Sequence, residues 1–74
     1  RYNEYIITGL RTMWGISTEE LNSKFGDRLW KYCSEQAKPY LENGKLKLHN
    51  DRLKLTREGI FVSDGIMSAL LEIE

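Results

Sequence analysis

The stretch Leu41 to Gly59, LENGKLKLHNDRLKLTREG, constrains the fold more than any other part of the chain. It reads as a helix end, a short β-hairpin and a new helix start. Asn43-Gly44 supplies the stop, because glycine takes the left-handed conformation after a last helical turn without a Cβ clash. Lys45-Leu46-Lys47-Leu48 then alternates polar and apolar, the period of a half-buried strand. His49-Asn50-Asp51 is turn chemistry, since Asn and Asp tolerate positive φ and bond their own backbone. Arg52-Leu53-Lys54-Leu55 repeats the alternation, so Leu46, Leu48, Leu53 and Leu55 are expected on one face of a two-stranded ribbon. Thr56 is placed to cap the following helix. A lone hairpin is marginal in water, so helices from the rest of the chain must cover its leucine face.

Those helices are legible on either side. Tyr2, Tyr5, Ile6, Leu10 and Met13 fall at helical spacing, which predicts an amphipathic helix over about Tyr2 to Thr12. Gly9 inside it costs about 1 kcal/mol relative to Ala, and a close crossing with another element is the expected reason for it. Trp14-Gly15-Ile16 reads as a tight connector that carries two large apolar side chains into the core. Ser17-Thr18-Glu19-Glu20 is a helix start. Ser17 as N-cap puts Glu20 at the third helical position, a capping box, and Ile16 can staple onto Leu21. This short helix is expected to stop at Phe25-Gly26. Asp27 is the next candidate cap, and Leu29, Trp30, Cys33, Ala37, Tyr40 and Leu41 mark the apolar face of a longer helix. Pro39 is expected to kink or split it. Tyr32 is expected to face outward and Cys33 inward, as an inert thiol. A final helix is predicted from Arg57 to about Ile73, with Ile60, Phe61, Met67, Leu70 and Leu71 on its apolar stripe and a bend at Gly65. Leu21, Phe25, Trp30, Leu41 and Leu55 are expected to meet in one core.

Helix, short helix, longer helix, hairpin and helix is the order of a winged helix-turn-helix, an α+β fold with a two-stranded antiparallel wing. That fold serves nucleic-acid readers, docking modules and appended enzyme domains, so it does not supply a function. At 74 residues the chain is one small domain. Eleven basic residues balance eleven acidic ones, which argues against a general nucleic-acid binder. Lys45, Lys47, Arg52 and Lys54 on the hairpin keep a nucleic-acid or protein-docking role as the alternative, although bases on an edge strand also keep it soluble. One cysteine excludes an internal disulfide, and a single thiol fits a reducing, cytoplasmic setting. No apolar run approaches the roughly 20 residues of a membrane span. No metal-ligand set, nucleophile-base pair or phosphate loop is present, and His49 at the hairpin tip reads as a solvated turn residue. No catalytic, cofactor-binding or metal residue is therefore assigned.

Glu4-Tyr5-Ile6-Ile7-Thr8-Gly9-Leu10-Arg11-Thr12, Gly15-Ile16, Phe25-Gly26, Leu41-x-x-Gly44-x-Leu46 and Leu53-x-Leu55-Thr56-x-x-Gly59 together resemble a known family. It is the C-terminal domain of oxygen-independent coproporphyrinogen III oxidase-like proteins, which are radical S-adenosylmethionine enzymes. The E-Y-I-x-T-G-L-R-T opening is most similar to the subgroup regarded as haem chaperones. The resemblance implies an accessory domain, residues 1–74, cut from a longer protein, packing on the catalytic barrel of its own chain and assisting with a tetrapyrrole. It implies a four-iron cluster and S-adenosylmethionine in the parent. The cluster motif, Cys-x-x-x-Cys-x-x-Cys, is absent here, where Cys33 stands alone, so neither cofactor is carried over to this chain. Pro39 and Trp14 depart from the family pattern. Arg1 is expected to lie near the join to the barrel, so Glu4, Thr8 and Arg11 on the first helix are the candidate interdomain contacts. Arg11, with its planar five-donor fork, suits a carboxylate or propionate.

Overall fold

A computed structural model describes residues 1–12 and 14–72. Met13 and Ile73, expected on the first and last helices, lie outside the described residues. In chain order the elements are α1 (Tyr2–Arg11), β1 (Ile16–Ser17), α2 (Thr18–Glu42), β2 (Leu46–His49), β3 (Arg52–Leu55), α3 (Arg57–Phe61) and α4 (Ser63–Leu70). Helices with a small antiparallel sheet make this the expected α+β class. The sheet has three strands rather than two, in the order β1-β3-β2.

The hairpin forms as its sequence dictates. Leu46 pairs with Leu55, Lys47 with Lys54, Leu48 with Leu53 and His49 with Arg52. Asn50 and Asp51 have φ of 50° and 66°, the two positive values that a tight hairpin turn of the type I′ kind requires. The third strand was not visible in the sequence, because two residues carry no period. Ile16 pairs with Leu53 and Ser17 with Arg52. Thr18 fixes this edge further, its backbone N–H donating to Asp51 O at 3.0 Å and its hydroxyl donating to the Asp51 carboxylate.

The helix ends follow elementary capping rules. Ser17 Oγ accepts from Glu20 N at 3.1 Å, the expected N-cap of α2. Gly26, at φ 87° and ψ 174°, is the one non-helical residue within α2 and breaks it where the short helix was expected to stop. Pro39 does not split the helix. Helical backbone continues to Glu42, because Pro39 sits exposed in the last turn. At that end Lys45 N donates to Tyr40 O at 2.8 Å and Gly44 N to Leu41 O at 3.4 Å, a Schellman stop with Gly44 at φ 82°. Thr56 then ties the two ends of the hairpin together. Its hydroxyl donates to Gly44 O at 2.6 Å and accepts from Gly59 N at 3.1 Å, while its own N–H donates to Lys45 O at 3.0 Å.

The core joins Tyr2, Ile6 and Leu10 of α1, Leu21, Leu29, Cys33 and Ala37 of α2, the strand residues Ile16, Leu46 and Leu53, and Ile66, Met67 and Leu70 of α4. Of the five residues expected at its centre, only Leu21 is fully buried; Phe25, Trp30, Leu41 and Leu55 are half-buried and pack on its margin. Gly9 does mark a close crossing, since a Cβ there would stand 2.6 Å from Ile16 Cγ1. Two expectations fail at the connector and at the last helix. Trp14 is 68% exposed. Gly15, at φ 75°, turns the chain so that Ile16 goes inward and Trp14 stays out. The last helix is two helices, broken at Val62 (φ −122°, ψ 29°) and not at Gly65. That break changes the helical phase, so Ile66, Met67 and Leu70 enter the core while Ile60 and Phe61 remain exposed. Tyr32 also departs from expectation. It is half-buried and donates through its hydroxyl to Leu71 O at 2.8 Å.

Candidate functional site

Spacing of four and three residues puts Glu4, Thr8 and Arg11 along one side of α1, and all three are exposed. Glu4 lies 3.9 Å from the chain's amino group, a contact that exposure makes weak. The helix nevertheless spans two different clefts. Glu4 and Thr8 line the first, of about 970 Å³, beside Tyr5, Lys24, Phe25, Arg28 and Glu72. Arg11 lines the second, of about 510 Å³, bounded by the end of α1, the hairpin and the α3–α4 corner. The predicted trio is thus on one helix but not in one site.

The first cleft is electrically satisfied. Arg28 donates to Glu72 at 2.6 Å, and Lys24 pairs with Glu20 at 3.6 Å while sitting 5.6 Å above the Tyr5 ring. Its floor is aromatic, with Phe25 edge-on to Tyr2 at 5.8 Å between ring centres and tilted against Tyr5 at 5.4 Å. The Tyr2 hydroxyl donates to Leu70 O at 2.8 Å. Asn3 exchanges two hydrogen bonds with the Glu72 backbone, at 3.1 and 2.8 Å, which holds the end of the described chain against α1.

These tyrosines set an alkaline limit on stability. Burial, then the hydrogen bond donated to Glu20 at 2.8 Å, pushes the Tyr5 hydroxyl up to about 12 from the ordinary 10.0. Burial pushes Tyr2 in the same direction. Between about 10 and 12 the unfolded chain has released the Tyr5 proton and the folded chain retains it. Stability from Tyr5 is therefore complete below pH 10 and falls as pH rises towards 12. The urea midpoint is expected to drop across this window, and to drop less in Tyr5→Phe. An equal drop in both proteins would contradict the assignment. Glu20 acts oppositely. The Tyr5 hydroxyl first, and Lys24 second, hold its carboxyl below the ordinary range, so its contribution disappears as acid titrates it.

The second cleft is different in kind. Leu10, Leu55, Ile60 and Met67 give it an apolar lining, and its cations are Arg11, Lys47 and Lys54. Lys47 and Lys54 are directly opposed across the strand pair. No carboxylate lies within ion-pair distance of any of the three among the described residues. Like charges directly opposed on a ladder are mildly destabilising. In the sequence alone the hairpin lysines read only as a basic ribbon. Their identical positions in two four-residue strands, each between leucines, were the available signal that they face each other.

The remaining candidates lie elsewhere. His49 is exposed, its Nε2 3.2 Å from Asn50 Nδ2. Cys33 is wholly buried, and burial pushes its thiol up. Among the described residues no three His, Cys, Asp or Glu side chains form a group fit for a metal ion, and no helix is long and apolar enough to cross a membrane. Beside α3, the corner residues Ile60, Phe61 and Val62 are exposed in sequence, Phe61 to 84%.

Comparison with known proteins gives one match. Neither the curated proteins nor the solved structures yielded a similar chain. The family described as the HemN C-terminal domain matches residues 1–62, from the first residue to the break between α3 and α4. That span includes both the Gly-Leu-Arg block of α1 and the hairpin with its Thr56 cap, so the chain belongs to the HemN C-terminal domain family.

Proposed function

We propose that this chain is the accessory domain of a coproporphyrinogen oxidase-like radical S-adenosylmethionine protein. It packs on the catalytic barrel and helps that protein handle a tetrapyrrole, whether as an oxidase or as a haem chaperone. The exposed corner Ile60-Phe61-Val62 carries the packing part of the reading. Three consecutive apolar side chains left in water, one of them a phenylalanine, mark a contact surface on so small a domain. Arg11 extends that surface, because it lines the same cleft as Ile60. Glu4 and Thr8, on the same side of α1 but lining the other cleft, form a separate contact with the barrel in this reading. The iron–sulfur cluster and S-adenosylmethionine belong to the barrel in this reading. Cluster ligation needs several thiolates, and this chain offers one buried cysteine in an environment that disfavours the thiolate. A cytoplasmic, reducing setting suits that free thiol.

The test compares the full-length protein with the 74-residue chain. Phe61→Asp is expected to leave melting of the 74-residue chain unchanged or slightly improved, and to lower the melting temperature of the full-length protein by several degrees. Arg11→Ala is expected to follow the same pattern with a smaller effect. Small and equal effects in both proteins would remove the packing assignment.

A further inference from the structure

The zero net charge of the chain hides an uneven distribution. Three carboxylates are engaged away from the second cleft: Glu4 at the amino terminus, Glu20 at Lys24 and Glu72 at Arg28. The cations of the cleft, Arg11 from α1, Lys47 from β2 and Lys54 from β3, converge from three elements with no such neighbour among the described residues. Lys47 and Lys54 are directly opposed, so their Cβ atoms stand about 5 Å apart and both ammonium groups can reach one anion. Leu55, Ile60 and Met67 give the opening, of about 510 Å³, an apolar lining. Trp14 stands at its rim. Thr12 lines the cleft, Gly15 N donates to Thr12 O at 3.3 Å, and a Cβ on Gly15 would come to 2.6 Å from Lys54 Cγ. The indole carried between those two residues is 68% exposed. A flat apolar side chain left in water, beside cations that no carboxylate neutralises, suits a polymer that alternates flat faces with anions. An inorganic ion would use the cations and leave the indole and the lining wet. An acidic polypeptide would answer the charges, but its carboxylates ride on flexible stems and bring no flat face to the indole. We propose that the connector and the hairpin bind single-stranded nucleic acid, with one base stacked on Trp14, a neighbouring base on the Leu55 and Met67 lining, and two phosphates held by Arg11 and by the Lys47–Lys54 couple. Base faces and phosphates are common to RNA and DNA, so both are ligands. A duplex is not, because its bases are already stacked on one another. Arg11 and Ile60 border both the cleft and the surface proposed to meet the barrel, so the strand runs along the edge of that surface. Nothing in this site requires a tetrapyrrole.

The test uses the 74-residue chain, its fold checked by circular dichroism, and labelled oligothymidylate and oligouridylate of about twelve nucleotides, followed by fluorescence anisotropy at low salt. Both are expected to bind with similar affinity, and a duplex of the same length at least tenfold more weakly. Trp14→Leu is expected to melt with the parent chain and to weaken binding about tenfold, the worth of one stacked base. Two neutralised phosphates give a slope of about −1.4 in log affinity against log salt, and the triple variant Arg11→Gln, Lys47→Gln, Lys54→Gln should remove it. Lys47→Glu is the control for folding. It exchanges a like-charged cross-strand pair for an opposite one, so it should melt no lower than the parent chain and still bind more weakly. Failure of the parent chain to bind at low salt would overturn the proposal, as would binding that Trp14→Leu or the triple variant leaves unchanged. Binding of duplex as tight as that of single strands would overturn it too. A tenfold preference between RNA and DNA would overturn the assignment to base faces and phosphates. Polyglutamate competing as well as oligouridylate would give the cations to an acidic polypeptide instead. None of these outcomes touches the packing on the barrel, which Phe61→Asp tests separately.

Discussion

Replacing Gly59 by alanine is expected to destabilise the chain by about 3 kcal/mol or more, through overpacking that cannot relax. A Cβ at this position would stand 1.9 Å from Lys45 O and 3.0 Å from Lys45 C. Neither side can yield cheaply. Lys45 O accepts the Thr56 N–H, Lys45 N closes the α2 end on Tyr40 O, and Gly59 N is held by the Thr56 hydroxyl. Alanine's higher helix propensity returns only about 1 kcal/mol. A domain of this length has a total stability of about 4–11 kcal/mol, so the loss is a large fraction of it. Gly65→Ala is the matched control. It also lies in a helix, but nothing stands within 4 Å of its Cβ position. It is expected to stabilise by about 0.4–1 kcal/mol. Urea unfolding of the two variants checks both signs. Equal effects would mean that Gly59 does not meet Lys45.

The second large effect separates two leucines of one strand. Leu46→Ala is expected to cost about 2–5 kcal/mol, because a fully buried side chain leaves both lost transfer energy and a cavity. Leu48→Ala is expected to stay within about 0.5 kcal/mol of the parent. The two residues share a sheet face by the period of two, yet Leu46 is 1% exposed and Leu48 56%. Leu46 pairs with Leu55 beside the α2 end, while Leu48 lies beyond the cover that the helices provide. Thermal melting of both variants decides it. A Leu48→Ala loss as large as that of Leu46→Ala would place the hairpin tip inside a core that the structure does not give it.

What the sequence by itself determined is everything that rests on short-range chemistry. The Ser17 cap, the break at Gly26, the stop at Gly44, the Asn50-Asp51 turn and the Thr56 cap each need only a few neighbouring residues and one backbone conformation. A close crossing was also expected at Gly9 and is there, but a helix glycine is not a sufficient sign of one, since Gly65 has open space at its Cβ position. Tertiary structure decided what depends on who arrives from far along the chain. Strand β1 exists because Leu53 and Arg52 offer an edge to Ile16 and Ser17. Trp14 is outside because Gly15 fits under Leu53 O, where a Cβ would come to 2.5 Å. Tyr2, Asn3 and Tyr32 owe their places to backbone atoms of residues 70–72, which no local pattern announces. The candidate site divides along the same line. Glu4, Thr8 and Arg11 could be set on one helix side from spacing alone. Only the packing of α1, the hairpin and the α3–α4 corner gives Arg11 to Lys47 and Lys54, and Glu4 and Thr8 to another cleft. Helical spacing fixes direction around an axis to within a turn, but which surfaces meet is set by the burial of a core contributed by every element at once.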